Sequence, residues 1–230
     1  MKKLSLLILL VAVLAASCER DVVPLPTSIE HFTVSSSKRV KFSKGNLLYN
    51  ASTGQYSTAP SQLCYLHDPL VDPYPGWTDF FSWTPEGWNL DGWRCLTHDE
   101  WHYLLTFRTN APKKRGLASV DGVNGLVILP DGWKRPSDIP FHADAEGYNV
   151  NSYTLDQWEV MEKAGAIFLP AAGHDSGDVV IGAGTEGYYW STTPYDDLGA
   201  WNVAFQPSGI GAVYGHNRTH GYTVRLVMED

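Results

Sequence analysis

His98-Asp99-Glu100-Trp101-His102 sets two imidazoles four residues apart, the spacing at which one helical face can offer both to a metal ion. Zinc hydrolases built this way carry their glutamate base directly after the first histidine. Here Glu100 comes one place later and completes a capping box with Thr97 instead. Trp101, Leu104 and Leu105 mark the buried face, so His98 and His102 are expected in solvent. His31, His67, His142, His174, His216 and His220 show no ligand spacing, although His216 and His220 share one loop. Asp175, Asp178, Asp196 and Asp197 are oxygen donors suited to a hard cation. None lies in a calcium loop with a central Gly and a terminal Glu, so they read as solvated loop carboxylates and no metal is expected.

Gly182, Gly184 and Gly187 match the dinucleotide fingerprint and follow the apolar Val179-Val180-Ile181. That fingerprint needs a helix after it, whose N-terminus holds the pyrophosphate. Gly187 instead runs into Tyr188-Tyr189-Trp190, a β-prone stretch that ends at Pro194. A glycine-rich turn is expected, and no cofactor. There is no serine nucleophile elbow, and no carboxylate pair can be assigned to one face. An enzyme is not expected.

A denser group of recognition side chains lies near the C-terminus: Tyr195, Asp196, Asp197, Trp201, Asn202, Gln206, Tyr214, His216, Asn217 and His220, with Trp190 and Arg218 among them. Aromatic rings supply rigid apolar area, while amides, acids and imidazoles supply adaptable hydrogen bonds, the mixture found in antibody loops. Composition alone equally fits a β-rich end with polar turns.

The elements that position these residues are short. Strands are expected at Phe32–Val34, Val40–Phe42 and Asn46–Tyr49, the last turning at Ala51–Gly54. Pro69 to Gly92 has no period and reads as ordered loop. Two capping boxes, Thr97–Glu100 and Thr154–Gln157, each open a helix, the second ending at Gly165. Gly125–Leu129 reads as a buried strand, Pro130 to Tyr153 as loop, and Ala166–Leu169 as a strand stopped by Pro170. Further strands are expected at Tyr188–Trp190, Ala200–Gln206, Gly211–Tyr214 and Tyr222–Val227. Two helices among many short strands give a single α+β domain over 31–230.

Composition sets the outer limits. In 230 residues, 43% hydrophobic and 18% charged content excludes a disordered chain. The net charge of −8 offers no basic face, so no nucleic-acid partner is expected. Nine Trp and twelve Tyr with 21 Gly and 14 Pro fit a loop-rich fold with aromatic surfaces better than a helical bundle. Met1-Lys2-Lys3, the apolar Leu4–Leu14 and the small Ala15-Ala16-Ser17 form an expected signal peptide over 1–17. This apolar run is too short to span a bilayer. Cys18 directly after the cleavage site resembles a lipobox cysteine, with Leu14 one place early. Diacylation there would anchor the protein to a membrane, with 18–30 as tether, and would place it in the cell envelope as an outer-membrane lipoprotein. Ordinary secretion with a free Cys18 is the alternative. Cys64 and Cys95 then remain, as a disulfide or as two reduced thiols.

Several strings together resemble a family. Phe32-Thr-Val-Ser-Ser-Ser-Lys38, Val40-Lys-Phe-Ser43 and Gly45-Asn-Leu47 open it. Trp93-Arg94, Leu96-Thr97, Glu100-Trp101 and Gly122-Val-Asn-Gly125 continue it. Gly165-Ala-Ile-Phe-Leu-Pro-Ala-Ala-Gly173, Gly187-Tyr-Tyr-Trp-Ser-Thr-Thr193 and Gly221-Tyr-Thr-Val-Arg-Leu-Val227 close it. In this order they are similar to Bacteroidetes lipoproteins of the Fibrobacter succinogenes major paralogous domain type. The resemblance implies a C-type lectin-like fold, shared with formylglycine-generating-enzyme-like domains, and a C-terminal face that binds a protein or glycan ligand. Some relatives are targets of diversity-generating retroelements. By that likeness Trp190, Ser191, Thr192, Phe205, Arg218, Gly221, Val224, Arg225 and Leu226 would form a constant frame. The ten residues above, with Ala204 and Thr219, would be displayed. Arg225 is expected to be structural, with a buried acid partner. A structural or tip component of a surface fibre is the alternative function. Trp201-Asn202-Val203 departs from the Trp-Asn-Asp calcium motif of sugar-binding C-type lectins, and no Glu-Pro-Asn occurs, so calcium-dependent sugar binding is not implied. Cys64 and Cys95 also lie outside the late segment that carries the cysteines of the formylglycine-generating oxidases.

Overall fold

The computed structural model describes residues 30–66, 76–143, 145–177 and 179–230. The expected signal peptide, Cys18 and most of the tether lie outside the described residues, as do His67 and Asp178.

Gly, Pro, Asn or Asp interrupts nearly every apolar run, which keeps the strands short. In chain order they are β1 (Phe32–Thr33), β2 (Arg39–Phe42), β3 (Leu47–Asn50), β4 (Gln55–Thr58), β5 (Trp77–Thr78), β6 (Asn89–Leu90) and β7 (Trp93–Cys95), then helix α1 (His98–His102). β8 (Arg115–Val120), β9 (Val123–Ile128) and β10 (Ser152–Tyr153) precede helix α2 (Leu155–Lys163). β11 (Ile167–Pro170), β12 (His174–Asp175), β13 (Val180–Ile181), β14 (Gly187–Pro194), β15 (Gly199–Gln206), β16 (Gly209–Asn217) and β17 (Leu226–Glu229) complete the fold. The architecture is α+β and loop-rich.

Three sheets set the position of the C-terminal residues. β1-β2-β17-β7-β6 joins the two ends of the described chain, with Val227 opposite Phe42 and Met228 opposite Trp93. β10-β8-β9-β11 lies beside α2, and β14-β15-β16 is a meander of two hairpins. Phe42, Trp101, Leu105, Leu126 and Leu169 share one apolar cluster with Tyr189, Val203 and Phe205. The C-terminal meander is therefore fixed to the centre of the molecule. A second cluster gathers Trp83, Trp88, Trp93, Trp190 and Tyr222.

Both capping boxes form. Thr97 Oγ1 accepts from the Glu100 amide at 3.2 Å, and Glu100 accepts from the Thr97 amide at 2.9 Å. Arg94 grips both oxygens of Glu100 at 2.7 Å and also reaches Glu229. These bonds hold the Glu100 carboxyl below its usual range despite partial burial, which acts the other way. After one turn α1 widens into a π-helical segment, Tyr103–Phe107.

Several expectations change. Within the stretch read as loop, 76–92 contributes β5 and β6, each only two residues long. Pro130 to Tyr153 contains a 3-10 turn at Tyr148–Val150 and the short β10, parallel to β8. β8 is an addition, hidden in the sequence because Gly116 and Ala118 weaken its strand pattern. It pairs with β9 through Asp121-Gly122, both at positive φ (48° and 85°), the conformation an Asp-Gly hairpin turn requires. Tyr222–Val227 is a strand only from Leu226. Tyr222 and Thr223 make single bridges to Phe81 and Tyr189 instead.

Arg225 is fully buried, but its partners are neutral. Its guanidinium donates to Asn46 Oδ1 at 2.9 and 3.1 Å, to the Phe168 carbonyl at 2.9 Å and, at longer range, to the Ser43 carbonyl and Gln62. The expected acid is displaced by one residue, since Gln62 donates to Glu162 at 2.8 Å. Burial pushes the Arg225 pKa down to about 10, so the cation persists at neutral pH. Cys64 and Cys95 are free thiols, and Cys95 Sγ donates to the Trp190 carbonyl at 3.0 Å. Burial pushes their pKa values up to about 11 and about 12.

Candidate functional site

Register decides what the C-terminal meander shows. Trp190, Asn202 and Tyr214 form one cross-strand row, Tyr188, Ala204 and Gly211 another, and Ala200 stands opposite His216. Trp201 is opposite Gly215, one residue out of step with these rows. Side chains alternate across a strand, so Trp201 belongs to one face while Tyr214 and His216 belong to the other. The ten predicted residues do not form one surface.

On the first face Tyr189, Val203 and Phe205 enter the core, and Trp201 sits at its edge. The His98 ring lies 4.5 Å from Trp201, and Tyr195 meets Trp201 edge-on at 4.7 Å. The row continues from His98 to His102 (5.8 Å) and from His102 to Phe107 (4.8 Å). His98 and His102 are thus not solvated as expected, because the sheet lies against their side of the helix. Both are partly buried. The turn after β14 is built by side chains whose residue types suggest recognition. Asp196 Oδ1 accepts from the amides of Leu198 (2.9 Å) and Gly199 (2.6 Å). Arg218 donates to the carbonyls of Asp196 and Gly199 and lies over the Trp83 ring. Asn217 Oδ1 accepts from the amide and hydroxyl of Thr219. Asp197 is exposed.

The second face carries a groove of about 390 Å³. Ala204, Gly209 and Gly211 belong to its lining, with the rings of Tyr188, Tyr214 and His216 and the polar ends of Gln206 and Ser208. Glycine at 211 lets the half-exposed Tyr214 ring lie over the strand, where a Cβ would overlap it. Gln206 Nε2 donates to Ser208 Oγ at 2.9 Å. Tyr214 is half exposed (53%).

Asn202, expected on display, is fully buried. The β-bulge between Asn202 and Ala204 leaves it inside the sheet, where it supports the groove instead of lining it. Its Nδ2 donates to the Tyr214 carbonyl at 2.9 Å and lies 2.9 Å from His216 Nδ1. A carbonyl can only accept, so the nitrogen of the amide faces Tyr214 and His216. His216 Nδ1 must then accept, which leaves its proton on Nε2 and the ring neutral. Asn202 Oδ1 has no hydrogen-bond partner among the described residues.

Behind His216, the topology gathers what spacing keeps apart. Tyr188 and Tyr222 stack at 4.8 Å, with His174, His216 and His220 around them. His174 and His220 are 5.5 Å apart. Burial, then the nearby His220, lowers the pKa of His174. Burial, then His220 and His174, lowers that of His216. Tyr188 donates to Glu186 at 2.9 Å, and burial with this carboxylate pushes its pKa up to about 12. No spacing signal marks His174 as a member, because a single bridge from Asp175 to Gly221 brings it in. Among the described residues no three His, Cys, Asp or Glu converge as metal ligands. Asp175 Oδ1 accepts from the Gly177 amide. Gly182–Thr185 forms a turn, and β14 follows it, so no helix N-terminus is present to hold a pyrophosphate.

A family profile described as Domain of unknown function (DUF8237) matches residues 148–227, a stretch that contains the whole meander. Comparison with curated proteins gives no significant match, and comparison with solved structures gives none either.

Proposed function

We propose that the chain is a lipid-anchored binding protein of the cell envelope with a C-type lectin-like fold, whose C-terminal sheet presents its groove to a protein or glycan ligand. The observation that carries this reading is the groove itself. Glycine and alanine make its depression, aromatic rings wall it, and the opposite face of the same sheet is anchored in the core. Ligand sites favour such concave, mixed apolar and polar surfaces on a rigid support. Frame and display separate in most positions but not in all. Of the frame, Trp190, Ser191, Phe205, Gly221, Val224, Arg225 and Leu226 are buried and Thr192 and Arg218 half-buried. Of the displayed set, Tyr195, Asp196, Asp197, Gln206, Tyr214, Asn217 and Thr219 are exposed, Trp201, Ala204, His216 and His220 half-buried, and Asn202 buried. A fibre component joined through Phe32–Phe42 would have to pair through the two-residue edge strand β1, because β2 lies between β1 and β17.

The test is binding of the purified protein to intact neighbour or host cells. Replacing Tyr214 and Gln206 together with Ala is expected to weaken retention by about 2 kcal/mol or more, as for paired contacts at the centre of an interface. Full retention by a folded double variant would remove the groove from the reading.

A further inference from the structure

We propose that the groove takes an uncharged saccharide and holds it without a metal ion. This rests on the groove being a ligand site and names the class of ligand. The first argument is electrostatic. Among the described residues no Asp, Glu, Lys or Arg lines the groove, although 18% of the chain is charged. A charged ligand would lose its hydration there and meet no opposite charge in return. Glu186 is taken up by the Tyr188 hydroxyl and stands outside the lining.

The second argument is the kind of polar group present. A sugar ring has an apolar C–H face edged by hydroxyls that both donate and accept. Tyr188 and Tyr214 supply aromatic surface, and Gln206 and Ser208 supply groups that can donate and accept. His216 completes the set as a neutral donor, since Asn202 commits its Nδ1 to accepting and leaves Nε2–H for the ligand. The third argument is shape. About 390 Å³ is at the small-molecule end of binding sites, whereas a protein partner needs a broad face of roughly 800 Å² per side. Calcium-mediated capture of sugar hydroxyls requires several carboxylate or amide oxygens, and among the described residues this lining offers Gln206 alone of such side chains.

The experiment passes the purified protein, in EDTA, over immobilised glucans, mannan, xylan and galactan, with polygalacturonate as the acidic control. A high-mannose glycoprotein separates glycan on protein from free polysaccharide. Retention on at least one neutral surface is expected, unchanged by EDTA and weakened at least tenfold by Gln206→Ala or Tyr214→Ala. Gln206 is exposed, so its truncation leaves the fold intact. Retention on polygalacturonate alone, loss in EDTA, or no retention on any saccharide would overturn the proposal. Cell binding separates this failure from that of the wider reading. Binding that needs Tyr214 and Gln206 but survives periodate oxidation of the cell-surface sugars keeps the groove and rejects the saccharide. Cell binding indifferent to both residues rejects the groove itself.

Discussion

The two faces of the C-terminal meander share the same three strands and differ in what lies against them. The inner face sets Tyr189, Val203 and Phe205 among Phe42, Trp101 and Leu105, with α1 packed across it. The outer face divides: Trp190 and Ala200 are buried in the second apolar cluster with Tyr222, while Ala204 and Gly211 lie in the groove, with rings and amides at its edges. Bulky apolar side chains close the inner side, and small ones leave the Ala204–Gly211 end of the outer side open. A single sheet can therefore be rigid and receptive at once, because the inner contacts set the backbone that the outer side chains stand on. Both faces are rich in aromatic residues, so composition does not distinguish them.

The largest expected effect is on the inner face. Phe205 is buried against Tyr189 and directly over Gly187, where a Cβ would overlap its ring. Phe205→Ala should cost about 3–5 kcal/mol of stability, measured by denaturant unfolding. Tyr214→Ala, on the outer face, should leave the unfolding midpoint nearly unchanged. Equal losses from both would end the distinction between an anchored and an open face. Arg225→Ala falls in the same class as Phe205→Ala. It leaves Asn46 Oδ1 and the Phe168 carbonyl buried without their donor, at about 1–3 kcal/mol for each unsatisfied group.

A smaller loss is expected at Asn202, which lies between the two faces. Asn202→Ala removes the donor to the Tyr214 carbonyl and frees His216 Nδ1, at about 1–2 kcal/mol. Its signature is spectroscopic. With the opposing donor gone, the His216 imidazole should titrate at higher pH in an NMR titration than in the parent protein. An unchanged titration would mean that the amide does not set the tautomer.

Much of the fold is legible from residue order. Thr97–Glu100 and Thr154–Gln157 announce both helices, because a capping box is a local device that needs only four residues. Val40–Phe42 and Ala200–Gln206 alternate clearly enough to read as strands. The division of the ten candidate residues between two faces is not legible in the same way. It depends on the bulge at Asn202/Ala204 and on the pairing of Trp201 with Gly215, which only the assembled sheet fixes. Asn202 shows why: its residue type fits a displayed position, yet its register buries it. The partly buried His98 is a similar case. The helix alone sets it away from Trp101, and only the meander brings Trp201 against it.

The smallest effect expected is the response to acid, and it separates the faces once more. His216 lines the groove and His174 stands behind it, and the groups facing them are His220, Tyr188, Tyr214, Tyr222, Asn202, Asp175 and Glu186. Both imidazoles have pKa values below the ordinary 6.5, so the unfolded chain binds more protons than the native protein between the lowered values and 6.5. Stability from these groups is complete above about pH 6.5 and falls as pH drops through the lowered values. Solvent screens both rings, which keeps the change small. Protonation of His216 also sets a new Nδ1–H against the Asn202 amide, so ligand retention should weaken over the same window. On the inner face, His98 is beside Asp99 (2.7 Å) and stands outside the groove lining. His216→Gln should therefore flatten the acid dependence of retention, whereas His98→Gln should leave it in place. If His98→Gln flattens it instead, the acid response belongs to the helix side of the sheet and the groove is not its source.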